Sequence, residues 1–184
     1  MSKTTGKTNK TATAGNLAID RIVSGGQTGV DRAALDAALE AGLPIGGWCP
    51  RGRRSEKGLI PAKYPLQETV ARSYVVRTEW NVRDSDGTLI LVLNDISTGT
   101  RLTVNFARDQ KKPLFVVYLR PVQRPSLFSD ENSLNDQIET VVQWLSNHRI
   151  RVLNVAGPRG SSHKDVYPEA RQFVSRLLNR VTDG

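Results

Sequence analysis

The sequence predicts a doubly wound α/β domain, a mainly parallel sheet with helices on both faces in three layers. Three observations carry that expectation. Two unbroken apolar runs, Thr88–Leu93 and Leu114–Leu119, have the length of strands buried on both faces. From Asp20 onward, segments of strand character alternate with segments whose apolar residues recur every three or four positions. Loops rich in Gly, Ser and Thr follow three of the strands, where such sheets place their ligand loops. A chain of 184 residues, 38% of them hydrophobic, suits one domain and a tail.

Residues 1–17 are rich in Thr, Lys, Ala and Gly and have little to bury, so a disordered tail is expected there, with the single domain over 18–184. Arg21–Ser24 reads as a short strand running into Gly25-Gly26. Val30–Ala41 reads as a helix with Val30, Ala34, Ala37, Ala38 and Ala41 on one face and Gly42 placed to cap it. Pro44–Trp48 is the second strand, and 49–65 a long loop. Ser73–Arg77 is expected as a short edge strand. Thr88–Leu93 and Leu114–Leu119 flank a helix over Thr100–Gln110. Ser133–Asn147 is a helix with Leu134, Ile138, Val141, Val142 and Leu145 on one side and a capping-box-like Ser133 and Asp136 at its start. Val152–Ala156 is the fifth strand. The last helix starts near Val166, with Pro168 in its first turn and Tyr167, Ala170, Val174, Leu177 and Val181 recurring along one face.

A formal net charge of +8 and a pI of about 10.0 suggest an anionic partner, either nucleic acid or a small phosphorylated ligand, although a generally basic surface gives the same count. Lys3, Lys7 and Lys10 stand in residues 1–19, which contain no acid. Nucleic acid ranks last, because no basic surface with interleaved aromatics is visible. No run approaches the roughly 20 apolar residues of a membrane span. The lone Cys49 forbids an intrachain disulfide and suits a reducing compartment, so a cytoplasmic location is expected.

The chemistry is expected in the loops. Gly25-Gly26-Gln27-Thr28-Gly29 follows the first strand and opens a helix. Asn94–Thr100, containing Ser97, Gly99 and Thr100, follows the Thr88–Leu93 strand. Gly157–Ser162, containing Arg159, follows the fifth. Glycine lets backbone N–H groups approach an anion, and a helix start adds unpaired donors with partial positive charge. Thr28, Ser97, Thr100 and Ser161 add hydroxyls, and Arg159 could clamp an oxyanion. The same glycines could equally serve turn geometry. On this reading Gly26→Val would put a side chain in the anion path and spare the fold.

The first loop lacks the Lys of a P-loop and is not G-x-G-x-x-G. Asp31 has two readings, a first-turn partner of the helix dipole or a contact to a ligand hydroxyl or Mg²⁺. Arg32 reads as a loop brace. Residues 51–57 hold Arg51, Arg53, Arg54 and Lys57 with one acid, Glu56, and read as a phosphate lid or a solvated loop. Cys49 reads as a small buried hydrophobe. His148 sits at a helix end and His163 beside the third loop. No Cys/His cluster has metal-ligand spacing, so no metal site and no catalytic residue is assigned.

The strings Ser24-Gly25-Gly26-Gln27-Thr28-Gly29-Val30-Asp31-Arg32, Gly47-Trp48-Cys49-Pro50, Arg77-Thr78 with Asn81-Val82, Asp84-Ser85-Asp86 and Leu153–Arg159 resemble the putative molybdenum carrier family. That family lies within the Rossmann-like LOG/DprA superfamily, and the resemblance runs from about Ile22 to Leu178. It implies a Rossmann-like fold that carries molybdenum cofactor, a pterin with a terminal phosphate, or a related phosphorylated nucleotide-like ligand. It implies a phosphate grip on Gly25, Gly26, Gln27, Thr28, Gly29, Ser97, Gly99 and Thr100, supported by Arg77, Asn81, Gly157 and Arg159. Homo-oligomers and molybdoenzyme partners are implied as well.

The related phosphoribohydrolases carry Pro-Gly-Gly-x-Gly-Thr-x-x-Glu. Here Gly99-Thr100 is kept, but Thr103 stands at the Glu position. A hydroxyl cannot replace a carboxylate acid/base. Binding is therefore expected, with a nucleotide hydrolase as the alternative. That enzyme would cleave an N-glycosidic or phosphate bond and would need Asp31, Glu79 or Asp86 in the acid/base role.

Overall fold

The computed structural model describes residues 19–120 and 130–182, so the expected tail lies outside the described residues. In chain order the elements are β1 (Arg21–Val23), α1 (Val30–Glu40), β2 (Ile45–Gly46), β3 (Trp48–Cys49), β4 (Arg54–Ser55), β5 (Gly58–Leu59), β6 (Gln67–Glu68), α2 (Tyr74–Arg83), β7 (Gly87–Val92), α3 (Thr98–Asp109), β8 (Leu114–Tyr118), α4 (Asp130–Asn147), β9 (Val152–Ala156) and α5 (Val166–Thr182), with a 3-10 turn at Gly160–Ser162 before α5. The main sheet has the order β2-β1-β9-β7-β8, every neighbouring pair parallel. It is a doubly wound, Rossmann-like sheet.

β7 shows why both faces are covered. Every one of its residues is buried. Leu89 and Leu91 pack with α1, α4 and α5 residues such as Ala34, Leu145 and Phe173 on one face. Ile90 and Val92 pack with Val104 of α3 on the other. Alternate side chains of one strand thus feed two cores, as a three-layer sandwich requires. The small face of α1 (Ala33, Ala34, Ala37, Ala38) is fully covered, which lets α1 lie close to the sheet and α5.

Three local expectations are corrected. Ser73–Arg77 is not an edge strand but the start of α2, whose cap Ser73 accepts from the Val75 amide at 3.2 Å. Tyr74, Val75 and Val76 suit a strand by local preference, but Thr78, Asn81 and Val82 are buried at helical spacing and tertiary packing wins. Pro44–Trp48 is not one strand. The backbone turns at Gly47 (φ 122°), where a Cβ would lie 2.7 Å from Asn81 Oδ1. Beyond it, Trp48–Cys49 leaves the main sheet and pairs with β6. α4 begins at Asp130, so Ser133 lies inside its first turn and does not cap it. The long loop 49–65 also contains an unforeseen antiparallel hairpin, β4–β5.

Candidate functional site

Strands β1, β9 and β7 are consecutive neighbours, so the loops leaving their carboxyl ends emerge side by side, about 5 Å apart at the strands. The helices that follow separate. α1 and α5 pack against each other on one face, and α3 packs with α2 on the other. The edge at β9 and β7 is therefore a switch point, the place where sheets of this kind hold ligands.

The loop Gly25–Gly29 lies deep in this edge. Gly25 sits beneath Arg77, whose Cζ lies 2.5 Å from where a Cβ would be. Gly26 has φ 71° and faces Ile60 of the long loop and Leu66 just after it. Gly29 packs directly against the Pro158–Gly160 backbone of the third loop. The Val30 amide donates to Pro158 O at 3.2 Å, and the Gly160 amide donates to Thr28 Oγ1 at 3.0 Å. The first and third loops are thus in direct contact. Gly157 is pressed against Val30, whose Cγ2 lies 2.6 Å from its would-be Cβ.

Ser97 caps α3. Its hydroxyl accepts from the Thr100 amide at 3.3 Å and lies 2.9 Å from Thr100 Oγ1. Gly99 is exposed, with nothing within 4 Å of a would-be Cβ. The start of this helix is therefore open to an approaching anion.

Between the first and third loops sits a side chain that sequence reasoning did not single out. The Glu56 carboxylate, at the tip of the β4–β5 hairpin, accepts from Thr28 Oγ1, from the Ser161 amide at 3.0 Å and from Ser161 Oγ. Arg159 Nε lies 3.8 Å away. Burial pushes the Glu56 carboxyl up, but the Ser161 and Thr28 hydrogen bonds and the Arg159 charge outweigh it and hold it below the ordinary carboxylate range. The Glu56 amide in turn donates to Gln27 Oε1 at 3.0 Å, which also accepts from the Thr28 amide. The only signal in the sequence was that Glu56 is the one acid in a run of four cations.

Arg77 and Asp31 form a buried pair under the first loop. Nη1 and Oδ2 are 3.3 Å apart, and the Nε of Arg77 is buried without a partner. Burial pushes the Asp31 carboxyl up against the opposing pull of Arg77. Asn81 is also buried, but both ends of its amide are engaged. Oδ1 accepts from the Trp48 amide at 2.8 Å and Nδ2 donates to Trp48 O at 2.9 Å. Asn81 also borders a cavity of about 100 Å³ with Gly47, Trp48 and Gln67, well below the roughly 300–1,000 Å³ of ligand pockets.

Arg32 braces the loops, donating to Gly26 O and Ser55 Oγ. Arg53 donates to the carbonyls of Ile60, Pro61, Tyr64 and Leu66, while Arg51, Arg54 and Lys57 are exposed. Cys49 is buried beside Leu35 and Tyr64, and burial pushes its thiol up. His163 is exposed near the third loop. Thr103 is buried within α3. Among the described residues no group of three or more His, Cys, Asp or Glu could hold a metal ion, and no helix is long and apolar enough to cross a membrane.

Residues 22–178 match the family model described as the circularly permutated YpsA SLOG family. A crystal structure named "Putative molybdenum carrier protein", from Syntrophus aciditrophicus SB, is similar with a TM-score of 0.78 and 41% identity, over 88% of this chain and 95% of that one. No curated protein matches the chain.

Proposed function

The chain belongs to the circularly permutated YpsA SLOG family, and from that premise we propose that it is a binding protein that holds a phosphate-bearing, nucleotide-like ligand over the carboxyl ends of β1, β9 and β7. The observation that carries the reading is the nest around Glu56. Two hydroxyls, one amide and Arg159 already hold an oxyanion there, the chain's own carboxylate. A ligand phosphate presents the same acceptor chemistry with more charge. The open start of α3 at Ser97–Thr100, at the carboxyl end of the neighbouring β7, offers further donors.

The name of the similar crystal structure favours molybdenum cofactor among such ligands. The donors on this edge suit its terminal phosphate, so the cargo would be gripped by Gly25–Gly29, Ser97–Thr100 and the Gly157–Ser162 loop. Arg77 would act beneath the first loop, through Gly25, and Asn81 through the Trp48 backbone that it holds. Action in the cytoplasm, a homo-oligomeric state and hand-over to molybdoenzymes belong to the same reading.

Titration calorimetry with molybdenum cofactor and a panel of nucleoside monophosphates tests it. At least one should bind more tightly than inorganic phosphate. A panel in which none does would overturn the reading. Steady release of free base or phosphate from a nucleotide would replace binding with hydrolysis.

A further inference from the structure

We propose that Glu56 is an intramolecular competitor for the oxyanion nest, so that the β4–β5 hairpin acts as a strap that must release before a ligand phosphate can enter. The proposal rests on the reading of this edge given above and adds how access to it is controlled.

The root and the tip of the strap are built differently. At the root, Arg53 donates to the carbonyls of Ile60, Pro61, Tyr64 and Leu66 at 2.8–3.2 Å. Ile60, Tyr64 and Leu66 are buried against Leu35 and Cys49. That end is fastened by apolar burial and cannot leave cheaply. The tip is a two-pair ladder, Arg54 with Leu59 and Ser55 with Gly58, too short to be stable alone. Leu59 at the tip is 74% exposed, so little apolar surface holds it down.

Polar contacts dock the tip instead. They are the Glu56 carboxylate in the nest, the Glu56 amide on Gln27 and Ser55 Oγ on Arg32. Contacts of this kind exchange with water or with another oxyanion at small net cost. The Glu56 side chain is only 13% exposed, so nest and ligand cannot meet while it stays. The same donors would serve the incoming phosphate, which makes release and binding one exchange. The Gly160 amide donates to Thr28 Oγ1 at 3.0 Å, a bond between the first and third loops that does not involve Glu56 and would tie them together on its release.

Calorimetric titration with inorganic phosphate, compared among wild type, Glu56→Ala and Glu56→Gln, tests the proposal. If the closed strap leaves roughly a tenth of molecules competent, Glu56→Ala should bind phosphate about tenfold more tightly than wild type. Glu56→Gln, which keeps the shape and loses the charge, should also bind more tightly and carries the test if the Ala variant misfolds. Equal affinity in all three would overturn the strap while leaving the ligand edge intact. Weaker binding in the variants would overturn it too, by making Glu56 a ligand contact. No binding in any of them would remove both the strap and the ligand edge.

Discussion

Gly26 sets a left-handed backbone turn at φ 71°, and a Cβ there would lie 2.6 Å from Leu66 Cδ1. The side chain of Gly26→Val would enter the packing beneath the strap, not the anion path expected from the sequence. The strained backbone and the clash should together lower unfolding stability by about 2–4 kcal/mol in denaturant titration. Gly99, exposed with open space around it, should accept Ala with a gain of about 0.5 kcal/mol. Arg77→Met would take away the cation beside buried Asp31 and leave its carboxylate with the Gln27 amide at 3.2 Å, and a loss of about 3–5 kcal/mol at neutral pH is expected. Burial holds the Asp31 carboxyl above its ordinary value of about 3.9, so the folded state binds that proton better than the unfolded chain does. Stability from Asp31 is therefore complete below that ordinary value and is lost as pH rises through the raised one. The loss in Arg77→Met should shrink on acidification, and equal losses at both ends of the pH range would contradict the pairing. The Gly25–Gly29 string marked this region in the sequence. The role of Glu56 was not legible, because its partners at positions 28 and 161 are far away in the chain.

At the scale of elements, the unbroken apolar runs Thr88–Leu93, Leu114–Leu119 and Val152–Ala156 were the most legible as strands, although only β7 is buried throughout, while β8 lies at the sheet edge, half-buried over Leu114–Val116 and exposed at Tyr118. α2 was misread because Tyr74, Val75 and Val76 favour strands locally, while the features that make it a helix are tertiary: Asn81 against Trp48, and Trp48 edge-on to Trp80 with centroids 4.7 Å apart. Asn81 is thus the clamp that holds β3 to α2. Asn81→Ala would leave the Trp48 amide and carbonyl without these partners and should cost about 2–4 kcal/mol in thermal or chemical unfolding. A cost near zero would mean that water satisfies both groups. The short β4–β5 hairpin was illegible for a different reason: two ladder pairs leave no periodicity to read.

Over the whole molecule, alternation of strands and helices predicted the layers but not the strand order. That order comes from contacts distant in sequence, such as Ile22 opposite Leu153 and Leu89 opposite Val155. It brings three loops to one edge. A second long-range knot ties α1, α5 and the long loop together. Asp36 Oδ1 accepts from Lys63 Nζ and Tyr64 OH, and Oδ2 accepts from Tyr167 OH. Burial raises the Asp36 carboxyl, but these hydrogen bonds outweigh it and hold it below its ordinary value, while burial and Asp36 push Tyr167 up to about 12. The contribution of Asp36 is present above the ordinary carboxylate value of about 3.9 and is lost as pH falls through the lowered one. Asp36→Asn should therefore flatten the acid limb of a stability–pH curve, and an unchanged limb would place acid sensitivity elsewhere. A ¹H–¹⁵N titration with a nucleoside 5′-monophosphate tests whether the loops of β1, β9 and β7 form one ligand edge. The Thr28, Gly99 and Ser161 amides should shift together along one saturation curve; shifts confined to other surfaces, such as the open concavity around Arg51 and Arg72, would contradict it.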